Sequence, residues 1–105
     1  MAGIIERNAR VQAIIKQRTG IEDGKAVWSE VECRCFSLDF EQADKDYFGA
    51  IQNGKIIMVA PMESAPKIPG FIVYEGVEYE MRGVRIYRNL KGVTMGYRIA
   101  VAGAS

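Results

Sequence analysis

The chain has 105 residues, of which 49% are hydrophobic and 26% charged, and its 14 basic and 13 acidic residues leave a formal charge of +1. This length suits one domain that buries about two-thirds of its unfolded surface. The small net charge argues against a dedicated polyanion-binding protein, and no apolar run reaches the length of a transmembrane helix or a signal sequence. We therefore expect a single cytosolic domain spanning residues 1–105.

The N-terminal third of the chain predicts a β-hairpin. Residues 11–19 are rich in β-branched side chains and lack a helix cap, which favours a strand. Residues 20–24 follow as a turn with Asp23 and Gly24 at its tip, and residues 26–36 form the returning strand. Trp28 and Phe36 lie on the more polar face of that strand, which indicates contact with a partner or an overlying loop.

Cys33 and Cys35 are two residues apart, so on a strand their side chains point the same way about 7 Å apart. This separation is unfavourable for a disulfide. The chain has no histidine and no further cysteine that would complete a zinc site. We expect both cysteines to be small buried side chains in a reducing compartment, and we expect no metal and no cofactor.

Residues 37–54 show no sustained period of two and carry a net charge of −3. Asp39 and Gln42 could cap a short helix that ends at Gly49, or the segment could be a long mobile loop. Compact domains seldom keep this many irregular residues without a function for them, whereas a helix here would cover one end of a barrel. The candidate functional residues of this insertion are Asp39, Glu41, Asp44, Asp46, Tyr47, Phe48 and Ile51.

The rest of the chain predicts further antiparallel strands. Residues 55–60 form a strand stopped by Pro61, residues 71–81 form a hairpin around Glu75 and Gly76, and residues 83–88 pair with residues 93–101. The period-two alternation predicts a shared buried face made of Val77, Tyr79, Met81, Met95, Tyr97 and Ile99. We predict an all-β fold, a small antiparallel barrel or sandwich, with flexible docking arms at residues 1–8 and 101–105.

Charge is unevenly distributed along the chain. Residues 1–20 carry a net +3, residues 37–54 a net −3 and residues 80–105 a net +4. These charges either solvate alternating faces or form basic and acidic poles through which copies of the chain dock. The predicted contacts with other subunits or partners are Trp28, Phe36, Arg82, Arg85 and Arg88.

The order of these turns and strands resembles that of the head-closure proteins of tailed bacteriophages, also called stoppers or head-tail connector proteins. The resemblance covers residues 9–101, and turn chemistry carries it: residues 20–28, Ala60 with Pro61, Pro69 with Gly70, and residues 74–79. Head-tail joining proteins and tail terminators share parts of the pattern and remain alternatives.

The resemblance implies a cyclic homo-oligomer in the virion neck, assembled in the host cytoplasm. Its partners would be a portal or adaptor protein above and a tail terminator or tail tube protein below, and double-stranded DNA would pass through its lumen without sequence specificity. By position, residues 37–54 match the loop that closes the channel in this family. Its acids would repel phosphates, so we expect a gate formed by contacts of Tyr47, Phe48 and Ile51.

An enzyme is not expected, because the chain lacks histidine, a nucleophile elbow, a P-loop and a dinucleotide-binding turn. The alternative from another functional class is a small nucleic-acid-binding barrel. Its phosphate ligands would be Arg82, Arg85, Arg88 and Arg98, and Tyr87 or Tyr97 would stack on bases.

Overall fold

The structure, a computed structural model, describes residues 4–103. Its elements are α1 (Ile4–Asn8), β1 (Val11–Glu22), β2 (Lys25–Asp39), α2 (Gln42–Phe48), β3 (Gly54–Val59), β4 (Gly70–Tyr74), β5 (Val77–Arg88) and β6 (Thr94–Ala102). The strands form a closed antiparallel barrel in the order β1-β2-β3-β6-β5-β4. The predicted all-β barrel is confirmed. Neither helix within residues 4–103 has the length and apolar character needed to cross a membrane.

Two of the predicted hairpins are closed by two-residue turns. Asp23 and Gly24 join β1 to β2 with φ angles of 51° and 76°, and Glu75 and Gly76 join β4 to β5 with φ angles of 49° and 79°. Two successive positive φ angles are the signature of the type I′ turn, whose twist matches that of the flanking strands. These turns explain why local sequence was sufficient to locate both hairpins.

The barrel interior is filled by apolar side chains from all six strands. Buried residues of this inner core are Ala13, Ile15, Cys33, Cys35, Ile57, Val59, Ile72, Tyr74, Met81, Tyr97, Ile99 and Val101. Small barrels of this kind are packed solids rather than pores, because opposing side chains meet across the axis. Any channel must therefore lie outside the individual barrel.

The predicted buried face of β5 and β6 is correct at its centre and wrong at its ends. Met81, Tyr97 and Ile99 are at most 3% exposed, and Tyr79 packs partly buried against them. Val77 is 39% exposed because it directly follows the β4–β5 turn. Met95 is only half-buried, since it lies beyond Tyr97, the last β6 residue that pairs with β3.

A second apolar cluster covers part of the outside of the barrel. Ile56, Met58 and Ala100 are buried there beneath Ile5, Phe36, Phe40, Phe48, Ile51 and Tyr87. Two glycines make room for this cover. A Cβ on Gly83 would approach Phe48 Cδ1 to 2.5 Å, and one on Gly96 would approach Ile5 Cγ2 to 2.8 Å.

The predicted terminal arms are largely structured. Residues 4–8 form α1, which packs against β2, β3 and β6. Val101 and Ala102 belong to β6, and Val101 is fully buried in the inner core. The arm prediction is therefore wrong for residues 4–8. It is also wrong for Val101 and Ala102, because β6 is paired on both sides, with β3 and with β5. Residues 1–3 and 104–105 lie outside the described residues.

Candidate functional site

The insertion between β2 and β3 is an ordered helical connection. It leaves and re-enters the sheet at neighbouring positions, since Asp39 pairs with Lys55. Of the two alternatives predicted for this segment, the short helix is correct. The cap, however, is Glu41 and not Asp39, which is the last residue of β2.

The two ends of α2 are fixed by local hydrogen bonds. Glu41 and Asp44 form a reciprocal capping box in which the Asp44 carboxylate accepts the Glu41 N–H at 3.0 Å. At the other end, Gly49 adopts a φ of 87° and its N–H donates to the Lys45 carbonyl at 2.9 Å. Ending at glycine was predicted, because glycine adopts a positive φ at little cost.

A bidentate ion pair anchors α2 to the barrel wall. Arg98 on β6 donates from Nε to Asp44 Oδ1 at 2.6 Å and from Nη2 to Asp44 Oδ2 at 2.7 Å. Asp44 is only 3% exposed. The hydrogen bonds from Arg98 hold the pKa of Asp44 below its usual value and raise the pKa of Arg98 above its own. The pair is thus fully ionised near neutral pH and fixes the helix on the outer face of β6.

Aromatic contacts complete the docking of α2. The Arg85 guanidinium on β5 lies 4.7 Å from the Tyr47 ring centroid and 5.2 Å from that of Tyr87. Tyr47 and Phe48 meet edge to face with their centroids 4.8 Å apart. Because Phe48 packs over Gly83, the C-terminal turn of α2 is held against β5.

The structure separates the candidate residues of the insertion into two groups. Asp44, Phe48 and Ile51 face the barrel, the first in the ion pair and the other two in the outer apolar cluster. The exposed candidates are Asp39, Glu41, Asp46 and Tyr47. Tyr47 is 56% exposed, so it is the one predicted apolar closer whose ring mostly faces solvent.

Three of the four arginines of the alternative nucleic-acid site are engaged by other side chains of the barrel and α2. Arg82 pairs with Glu80 at 2.6 Å, Arg85 is stacked between tyrosines and Arg98 is bound to Asp44, which leaves Arg88 as an exposed cation. Tyr97 is 3% exposed and its hydroxyl donates to the Met62 carbonyl inside the barrel at 3.3 Å. The prediction that Tyr97 stacks on bases is therefore wrong.

Trp28 and Phe36 have different surroundings. Phe36 is half-buried in the outer cluster, to which α1 contributes Ile5 and α2 contributes Phe48, whereas the sequence predicted a partner or an overlying loop. Trp28 remains 45% exposed and contacts Phe71, with the ring centroids 5.8 Å apart. Of these two predicted partner contacts, Trp28 is the one whose surface is still available.

Cys33 and Cys35 are both free and buried, as predicted. The hydrogen bond between the two thiols, together with burial, raises the pKa of Cys33. The raised pKa leaves Cys33 mainly as the thiol, which is a poor nucleophile, whereas the same hydrogen bond lowers the pKa of Cys35. Within residues 4–103 no three potential metal-ligating side chains cluster together.

Sequence reasoning missed the role of Arg98. The basic, alternating strand on which Arg98 lies predicts a phosphate-binding arginine, and its actual partner, Asp44, is 54 positions away. No local pattern marks such a long-range pair.

No protein-family model matches the chain, and a comparison with curated protein sequences gave no match.

Proposed function

We propose that this protein is a structural component of a bacteriophage neck, a ring-forming head-closure or head-tail connector protein without catalytic activity. The proposal rests on the order of hairpins and glycine turns along the chain, together with an insertion after the second strand. The observation that carries it is the placement of that insertion. It stands on the outside of a filled barrel, held by a buried ion pair and by apolar and aromatic contacts, with a tyrosine and three acids exposed.

A filled barrel interior supports a channel formed between copies rather than within one. The fully buried inner side chains, among them Ile15, Ile57 and Ile99, leave no path for DNA through the subunit. Copies arranged around an axis would instead enclose a lumen, and the wall carrying α2 would face it. Rings of this kind arise when one surface of a subunit binds a different surface of the next.

In the proposed ring, α2 narrows the lumen by contact between copies. Tyr47 is its exposed aromatic residue, and Asp39, Glu41 and Asp46 are its exposed acids. Carboxylates repel phosphates at short range, so DNA would slide past without being held. Closure would then depend on Tyr47 meeting its symmetry mates rather than on gripping the DNA.

The test is genome retention in assembled particles. Tyr47→Ala should give heads that package DNA and then release it, measured as nuclease-sensitive DNA per capsid. Lys45→Ala is the matched control, since Lys45 is exposed on the same helix and should leave retention unchanged. Wild-type retention in the Tyr47→Ala particles, or a density map with α2 on the outer surface of the ring, would contradict the gate.

Replacing residues 41–52 with a short Gly-Ser linker is the stronger form of the same test. This deletion also removes Asp44 and would leave Arg98 as an unpaired, mostly buried charge. Such a charge is costly, so Arg98→Met should accompany the deletion. The barrel should remain folded while the particles leak DNA.

A further inference from the structure

At one end of the barrel, the β1–β2 and β5–β6 hairpins continue past the neighbouring strands and leave open edges, of which those of β2 and β5 are the longest. β2 pairs with β3 only from Cys35 onward, so residues 25–33 are paired with β1 alone. β5 pairs with β4 only as far as Glu80, so residues 81–88 are paired with β6 alone. Among residues 4–103 no strand covers either stretch. We call these the β2 edge (residues 25–33) and the β5 edge (residues 81–88).

The backbone groups of the β2 edge are oriented for pairing. The Arg34 carbonyl accepts a hydrogen bond from the Ala60 N–H at 2.9 Å, which fixes the side of β2 toward which Arg34 points. Backbone orientation alternates along a strand, so Trp28, Glu30 and Glu32 direct their N–H and C=O groups to that same side. An open edge of this kind is a template for an added strand.

The two edges carry opposite charge. Residues 25–33 contain Glu30 and Glu32 against Lys25, which lies next to the β1–β2 turn, whereas residues 81–88 contain Arg82, Arg85 and Arg88 and no acid. Both glutamates are exposed, as are Arg88 and Arg82, the latter in an ion pair with Glu80. Exposed apolar side chains lie at both edges, Trp28 within the β2 edge and Leu90 just past the β5 edge. Two different surfaces of one chain are thus complementary in charge, and both have exposed apolar side chains.

We propose that the β2 edge of one copy binds the β5 edge of the next, so that the sheets of neighbouring copies become continuous. Because the two surfaces differ, the contact is head-to-tail, and repetition of a head-to-tail contact generates a ring when its rotation closes. The occupant of each edge is therefore a second copy of this chain. This inference rests on the proposed function and names the contact that would build its ring.

The test uses charge reversal in the full-length protein. One variant carries Glu30→Lys and Glu32→Lys, and the other carries Arg82→Glu and Arg88→Glu; Arg85 is left alone because it contacts α2. Wild-type protein should self-associate in sedimentation velocity as its concentration rises, and added salt should weaken that association. Each variant alone should associate about tenfold more weakly or worse, because like charges face one another across the contact.

Mixing the two variants should restore association, since each edge then meets an edge of opposite charge. A zero-length carbodiimide should couple the introduced lysines to the introduced glutamates in the mixture, and mass spectrometry should locate those links. Circular dichroism of each variant confirms that its barrel is folded. A wild-type protein that stays monomeric, a variant that associates like wild type, or a mixture that regains nothing would overturn the proposal.

A proline variant separates strand pairing from charge attraction. Glu30→Pro removes an N–H that points to the open side, so it should abolish association while leaving the ladder with β1 intact. Glu30→Gln is its control and should retain part of the association. Equal association of these two variants would overturn strand pairing. If the edge variants associate as wild type does while Tyr47→Ala particles leak DNA, this inference is overturned and the proposed function stands.

Discussion

Asp44 is a buried carboxylate in a helix of only seven residues. It accepts hydrogen bonds from the Arg98 guanidinium and from the Glu41 backbone, so it serves as both anchor and cap. A short helix has little intrinsic stability in water, since nucleation is costly. The tertiary contacts of Asp44 are therefore what hold α2 in place.

Asp44→Asn should release α2 from the barrel. Loss of a charge-assisted pair lowers the free energy of unfolding by about 1.5–3 kcal/mol, and trypsin should cleave faster after Lys45. Urea unfolding and limited proteolysis measure the two effects. Asp46→Asn is the control, because Asp46 is exposed and accepts a hydrogen bond from the exposed Gln42 side chain at 2.9 Å; its effect should be within about 0.5 kcal/mol. Unchanged cleavage in Asp44→Asn would contradict the anchor.

The same pair sets a pH dependence with a definite sign. The folded-state pKa of Asp44 lies below its ordinary value of 3.8, so its contribution to stability is complete above pH 3.8 and is lost as pH falls through the folded pKa. The free energies of unfolding of wild type and Asp44→Asn can be compared by urea unfolding from pH 7 to pH 2. Their difference should be constant near neutral pH and should shrink in acid. A difference that grew in acid would contradict this assignment.

Gly96 is required where β6 passes beneath α1. Its φ is +150°, and an added Cβ would lie 2.7 Å from the Val59 carbonyl oxygen. Gly96→Ala should cost about 1–3 kcal/mol of stability because backbone strain and a backbone clash coincide. Gly20→Ala meets no atom within 4 Å and should change stability by less than about 1 kcal/mol. Thermal melts of both variants would show whether the two glycines differ in this way.

At the scale of elements, the strands are predictable because their signal is local. β5 alternates in polarity directly after Glu75 and Gly76, and that alternation together with the turn residues places the hairpin. The inner faces follow from the same alternation. Burial at strand ends does not, since it depends on which neighbouring strand is still present at that level of the barrel. For this reason the alternation predicts more burial for Val77 and Met95 than the structure shows.

β3 explains what alternation leaves out. Its sequence is nearly continuous in apolar residues, and both its faces are buried: Ile57 and Val59 in the inner core, Ile56 and Met58 in the outer cluster. A run without alternation is typical of strands covered on both sides. The sequence therefore contains the signal for an outer cover. Of the two helices that contribute to it, α2 directly precedes β3, but α1 comes from residues 4–8, which no local pattern connects to β3.

The end effect on β5 can be tested with two substitutions on one strand. Met81→Ala removes a side chain that is 1% exposed, and such core truncations cost about 2–5 kcal/mol. Val77→Ala lies on the same face next to the turn and should cost less than about 1 kcal/mol. Equal losses in the free energy of unfolding, measured with denaturant, would contradict the claim that the barrel ends near Val77.

For the whole molecule, the longest extent is 44 Å against 29 and 24 Å in the other directions. The β1–β2 hairpin contributes to this length, and residues 18–26 are all exposed. A hairpin without further strands is marginally stable in water. The projecting hairpin would be stabilised by a partner that covers it, which is consistent with the proposed contact between copies.

Native-state hydrogen exchange tests this division of the molecule. Amides of β3 and β6 should exchange slowest, because these strands are paired on both sides over the buried core, and amides of residues 20–28 should exchange fastest within the sheet. Raising the protein concentration should then slow exchange in residues 26–32 and 82–88 and leave β3 unchanged. The charge-reversed variants provide the control, since each alone should keep fast exchange in both edges at every concentration. Slowing confined to other surfaces would assign the contact between copies to those surfaces instead.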